Sequence, residues 1–252
     1  MFQKKYYLHM KNSFSILLLL VFSACQSTLI KNDRYMISPT TTELGSIGQS
    51  KSVLNLQNDF DARTLPKLEN KIRVSVEPIP FNKRLNKIYT TKAKFNQNQS
   101  KVTYIDSLPS KPELVKIQLL DVTGFVKELN ADYNADAFKL LNDTQNLEII
   151  SSIALYLSAD EIAKIRLADT YYLTNYQDTK YALSLYKLGK KIETIDLNSG
   201  TVIGYRLSHF CWGATERGKW YIADMTEGRS RCKGNTESRI SEKKKSKSLY
   251  RM

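Results

Sequence analysis

The sequence predicts an α+β fold: a mainly antiparallel sheet in the C-terminal half, with two or three short helices inserted before it. Three observations predict it. Strand patterns follow one another closely after Thr170 and are separated by short turns. Ser158-Ala159-Asp160-Glu161 has the spacing of a capping box, in which a serine hydroxyl and a glutamate carboxylate satisfy free amides at a helix start. Between Thr123 and Leu141 the apolar residues are spaced for one face of a helix rather than for a strand.

Taken in order, Ile72, Val74 and Val76 alternate with polar neighbours and predict a strand stopped by Pro78 and Pro80. Val102–Ile105 reads as a further short strand, and the Asn/Gln/Lys-rich stretch between them reads as loop. Val115–Leu120 alternates as a strand. After Thr123, the residues Phe125, Val126 and Leu129 share a helical face, and Ala135–Leu141 gives a second helical piece. Leu147–Leu157 is a long apolar strand candidate, followed by a helix from Ala159 to about Ala168. Tyr171–Leu173 then opens the strand-rich region. Gly189-Lys190 bends a hairpin between Tyr181–Leu188 and Lys191–Leu197. Asn198-Ser199-Gly200 and Gly213–Gly218 make the next turns, flanking Thr201–Trp212 and preceding Lys219–Met225.

The first 24 residues have a different character. Lys4, Lys5 and Lys11 lead, Phe14–Phe22 is almost wholly apolar, and Ser23-Ala24-Cys25 closes with small residues and a cysteine. A charged front, a short apolar middle and a small-residue end form a secretory signal. The apolar run is shorter than the roughly 20 residues a membrane-spanning helix needs. Phe22-Ser23-Ala24-Cys25 resembles the lipobox of bacterial lipoproteins. That resemblance implies cleavage before Cys25, lipid on its sulfur, and attachment to a membrane of the cell envelope, with the outer membrane preferred because Gln26 is not an aspartate. Met10 would also open a compact signal, so either Met1 or Met10 serves as the start.

This reading divides the chain into a signal over 1–24, a lipidated cysteine with a flexible tether over 25–57, a poorly legible strand and loop region over 58–110, an α+β domain over 111–232, and a basic tail over 233–252. The tether expectation rests on Ser, Thr, Asn and Gln without a sustained apolar period. The formal net charge of +13 is concentrated at the ends, because residues 229–252 carry nine Lys and Arg against Glu237 and Glu242. Such a distribution, in an exported protein, points away from nucleic acid. It points toward anionic lipid, glycan or surface polymer, or a partner protein in the envelope.

With Cys25 assigned to lipid, Cys211 and Cys232 remain, and an oxidising compartment favours joining them. Free thiols and a metal site are the alternatives, the latter short of ligands since His209 is the only histidine after the signal. A third meander strand after Gly228 would hold Cys232 about 9.6 Å from Cys211, two strand spacings away. A disulfide tolerates about 7 Å, so Arg229–Cys232 is expected to cross the face or end of the sheet. If Trp212 pairs with Lys219, Cys211 stands opposite Trp220. Trp212 and Trp220 are core aromatics or the stacking faces of a glycan surface.

No catalytic signature stands out. Ser208 and His209 are adjacent on a presumed strand and point to opposite faces. Ser184-Leu185-Tyr186-Lys187 has an SxxK spacing, but in a strand rather than at a helix start. No cofactor or metal is expected. The expected function is a non-enzymatic envelope lipoprotein that binds a partner. The alternative is a secreted hydrolase of cell-wall or extracellular polymer, using paired carboxylates or His209 with a sequence-distant acid.

Overall fold

The computed structural model describes residues 27–37, 42–50, 60–92, 102–176, 180–228 and 230–240. The signal, Cys25 and residues 241–252 of the basic tail lie outside them. The expected class is found: the described residues form four α-helices and twelve strands, every strand pair antiparallel. The strands are β1 (Ser27–Ile30), β2 (Asp33–Met36), β3 (Ile47–Ser50), β4 (Phe60–Thr64), β5 (Ile72–Pro80) and β6 (Glu113–Leu119), then β7 (Glu148–Tyr156), β8 (Thr170–Asn175), β9 (Tyr181–Lys187), β10 (Lys190–Asp196), β11 (Thr201–Ala214) and β12 (Trp220–Glu227). The helices are α1 (Lys83–Lys92), α2 (Val122–Leu129), α3 (Ala135–Asp143) and α4 (Ala159–Leu167).

The main path through the sheet runs β1-β2-β11-β7-β6-β5-β8-β9-β10, with β12 on β11, β3 on β7 and β4 on β3. Its centre is β7, where Ile149 through Leu155 are all buried. A strand covered on both faces reads as a continuous apolar run, as this one does. One face carries the larger core: Phe125, Val126 and Leu129 of α2 and Ile162 and Ile165 of α4 pack with Ile149, Ile153 and Leu155. The alternate residues of β7 and its neighbours, Ala154, Leu114 and Ile203, meet a smaller core made with Leu85 and Tyr89 of α1 and Ile30 and Tyr35 of the first hairpin.

Local chemistry sets the helix starts. Both halves of the capping box form at α4: the Glu161 amide donates to Ser158 Oγ, and the Ser158 amide donates to Glu161 Oε2 at 2.9 Å. At α2 the cap is Asp121, whose carboxylate accepts from the Gly124 amide at 2.8 Å. Beside α2, the buried Glu128 carboxylate accepts from the Glu69 amide (2.6 Å), the Asn70 amide (3.3 Å), Asn70 Nδ2 (2.8 Å) and the Tyr133 hydroxyl (2.7 Å). Burial would raise this carboxyl, but the four donors outweigh it and hold it below the usual glutamate range. It clamps the loop that enters β5.

Several expectations need correction. The tether over 25–57 is instead built into the sheet at β1, β2 and β3. These are short strands completed by pairing, and Tyr35 and Ile47 are fully buried. The expected loop after Pro80 contains α1, whose Leu85 and Tyr89 share one buried face. Val102–Ile105 is not a strand; Val102 and Tyr104 pack beside the smaller core instead. Residues 233–240 of the expected tail are part of the fold, since Trp212 and Glu237 exchange backbone hydrogen bonds of 2.7 and 2.8 Å. The hairpin register also differs. Ala214 faces Trp220, Trp212 faces Ile222 and Cys211 faces Asp224, because β11 runs two residues further than expected and a bulge follows Cys211. At the far end of the sheet, β10 is bulged between Lys191 and Glu193.

Candidate functional site

A cleft of about 870 Å³ opens where β7 begins. Glu148, the first residue of β7, stands opposite His209 of β11. Beyond His209 that edge of β11 has no strand neighbour among the described residues until Glu237 pairs with Trp212. The cleft fills this gap. Its floor is His209, Phe210 and Trp212, and one wall is the turn from α3 into β7. That turn is sharp: Asn146 takes a φ of 59°, a left-handed conformation that asparagine tolerates better than most residues. The opposite wall is the strap Ser238-Arg239-Ile240, and the end of β3 adds Gln49 and Ser50.

The strap is held by the disulfide. Cys211 and Cys232 are bonded, with Cα atoms 5.6 Å apart. β12 lies on one edge of β11 while Glu237 reaches Trp212 from the other, so residues 230–236 cross the strand in between. This is the crossing that the strand-spacing argument requires.

The polar groups around the cleft are of mixed type. Asn142, Gln145 and Asn146 bring amides, Ser50, Thr144 and Ser238 bring hydroxyls, Asp143 and Glu148 bring carboxylates, and Arg239 brings a cation. Some are already engaged with one another. Gln49 Nε2 donates to the Gln145 carbonyl at 2.9 Å, Asn142 Nδ2 to Asp143 Oδ1 at 2.8 Å, and Ser50 Oγ to Glu148 Oε2 at 3.3 Å. Burial raises the Glu148 carboxyl above the usual range, with the Ser50 hydrogen bond and the charge of His209 opposing that shift.

His209 is half-buried on β11 between two strands, with Glu148 across from it on β7 and Thr226 on β12. Its Nε2 lies 2.7 Å from the Thr226 hydroxyl. Ser208 is apart from it, as expected, buried and donating to Ser151 Oγ at 2.7 Å. The donor atoms of His209, Cys211 and Cys232 lie within 4.8 Å of one another. Joined as a disulfide, the sulfurs present no thiolate, so the trio offers an imidazole alone.

Trp212 and Trp220 belong to the core at 5% and 7% exposure. Trp212 stacks edge-on with Phe138, ring centroids 5.8 Å apart. Neither ring presents a face to solvent, and Trp212 reaches only the floor of the cleft. The SxxK serine, Ser184, is fully buried against Thr174 at 2.9 Å. A second charged cluster joins Asp33, Lys116, Arg206 and Glu227, with Gln118 donating to Glu227 Oε1 at 2.9 Å. Its charges are mutually paired and tie four strands together, β2, β6, β11 and β12. Glu148, Ser50 and Thr226 carry no sequence signal of their own, since only strand pairing brings them to His209.

The class defined by these observations is an α+β protein with one antiparallel sheet and a polar, disulfide-strapped cleft at its edge. No family model, curated protein or solved structure matches the chain.

Proposed function

We propose that the chain is a cell-envelope lipoprotein, anchored to a membrane through Cys25, and that its folded part binds a hydroxyl-rich polar ligand, a glycan or envelope polysaccharide, in the cleft beside His209. The observation that carries the binding reading is the cleft itself. Amides, hydroxyls, carboxylates and a guanidinium converge around an apolar floor, and few well-placed polar groups over such a floor suit small polar ligands. The anchor reading is supported by the apolar leader and Phe22-Ser23-Ala24-Cys25.

Two measurements test these statements separately. Mass spectrometry of the native product should find a diacylglyceryl-modified Cys25 at the N-terminus; an unmodified thiol there refutes the anchor. Titration of the purified protein with cell-wall fragments and envelope polysaccharides should change the fluorescence of Trp212 on the cleft floor. Glu148→Gln and Asn142→Ala should each weaken that response about tenfold, the effect of losing one well-formed hydrogen bond. Unchanged affinity in both variants refutes the cleft as the binding site.

A hydrolytic reading has one observation in its favour, a raised carboxyl at Glu148 directly across from an imidazole. It predicts release of reducing ends from the same fragments, abolished in Glu148→Gln.

A further inference from the structure

We infer that the face built from α1, β1 and the segment following Val102 lies against anionic lipid headgroups. The proposal extends the anchor reading and rests on it for orientation only, since the face can bind lipid whether or not Cys25 is acylated.

Four observations converge. First, α1 (KRLNKIYTTK) contains no acidic residue; Leu85 and Tyr89 turn inward, while Lys83, Arg84 and Lys87 are exposed. A helix with one face buried and the other carrying only positive charges among polar residues is electrostatically matched to an anionic surface. Second, Arg84 Nη2 donates to the Ser27 carbonyl at 2.7 Å, which fixes the cationic start of α1 against β1. Ser27 follows Cys25 by two residues, a span of at most about 7 Å. A lipid on that cysteine would therefore bring this side of the protein, and no other, to the headgroups.

Third, large apolar side chains are exposed nearby. Leu29 on β1 is 55% exposed, and Ile105 and Leu108 are 46% and 47% exposed. The segment bearing the last two is joined to α1 by packing and by charge. Val102 and Tyr104 pack on the core that holds Leu85, and Lys83 acts electrostatically on Asp106. Exposed apolar residues beside cations are what an interfacial surface uses to enter the headgroup boundary. Fourth, the acids of this region have cationic partners: Asp106 has Lys111 at 3.6 Å, and Glu77 has Lys31. Lys83, Arg84 and Lys87 form no carboxylate pair among the described residues, so their charge is available to a surface.

The test uses residues 25–252 with Cys25→Ser, which retain every described residue and cannot be acylated. Sedimentation with vesicles rich in phosphatidylglycerol should show partitioning that phosphatidylcholine vesicles do not support. Lys83→Gln/Arg84→Gln/Lys87→Gln should weaken it on the order of a hundredfold, about fivefold per cation removed. The basic tail is identical in both proteins, so the difference reads the face. Leu29→Ser should weaken binding further, without changing the urea midpoint. Should the triple variant misfold, Lys83→Gln and Lys87→Gln are compared singly with wild type, each expected to weaken binding about fivefold, and salt should release the wild-type protein as the Debye length shrinks. Equal partitioning of wild type and a folded triple variant overturns the proposal. So does salt-independent binding, or equal loss of binding to RNA or heparin without preference for lipid. A bare thiol at Cys25 in the native protein would refute the anchor alone and leave these outcomes intact.

Discussion

Removing the disulfide should loosen the cleft wall before it unfolds the domain. The perturbation is Cys211→Ala/Cys232→Ser, alanine being chosen at 211 because that side chain is fully buried. The bridge spans 21 residues of sequence, and chain entropy for a loop of that size corresponds to about 3 kcal/mol of stabilisation. Without it, the strap is held to β11 by the two backbone hydrogen bonds between Trp212 and Glu237, each contributing about 1 kcal/mol net, and by the partly buried Ile240. A local opening free energy of roughly 2–3 kcal/mol follows, which puts about 1% of molecules in a strap-open state. Native-state hydrogen exchange should then show fast Trp212 and Glu237 amides, while those of β7 remain protected. Trypsin should cut at Arg231, Lys233 and Arg239 under conditions that leave β11 intact. The urea midpoint should fall by the equivalent of about 3 kcal/mol. Exchange at Trp212 as slow as in the oxidised protein would refute the claim that the disulfide holds the strap.

The Glu128 clamp gives a second outcome: Glu128→Gln replaces an acceptor facing four donors with an amide and should cost about 2–3 kcal/mol in urea denaturation at neutral pH. Because the folded carboxyl titrates below its usual value, its contribution is complete above the unfolded pKa of about 4.3 and is lost as pH falls through the folded pKa. The wild-type advantage over Glu128→Gln should accordingly narrow in acid; a pH-independent difference would refute the assignment. In the same variant the Tyr133 phenol, raised to about 12 by burial and by the Glu128 carboxylate, should titrate at lower pH in an ultraviolet difference spectrum. Gly48→Ala should cost about 3 kcal/mol or expel β4 from the sheet, because a Cβ there would lie 2.1 Å from the Asp61 carbonyl oxygen. A thermal midpoint within a degree or so of wild type would show that the β3–β4 approach relaxes freely.

How much of this was legible in the chain depended on whether the signal was local. The start of α4 is written in Ser158 and Glu161, and the hairpin of β9 and β10 in Gly189, whose φ of 76° marks the bend. The Cys211–Cys232 crossing followed from the expected disulfide taken together with strand spacing. The helix α1 was hidden because Lys, Asn and Thr dilute its apolar content, although Leu85, Ile88 and Tyr89 hold the i, i+3, i+4 spacing. The strands β1 to β3 were hidden for a different reason. Each has four residues, too few for alternation to show; β2 and β3 are stabilised by partners distant in sequence, Tyr205 and Glu148, and β1 by its hairpin with β2. The cleft was illegible for the same reason. Glu148 and His209 lie 61 positions apart in sequence and become neighbours only when β7 and β11 pair.

The bulge in β10 bears on how this molecule behaves in company. As the last strand of the path, β10 has no strand on its outer side among the described residues, an open row of backbone donors and acceptors that a second copy could extend. Lys190 and Lys191 are exposed along it, and the irregularity between Lys191 and Glu193 breaks the regular spacing an incoming strand would need. Restoring regular pairing there while neutralising both lysines should therefore favour end-to-end pairing of copies through β10.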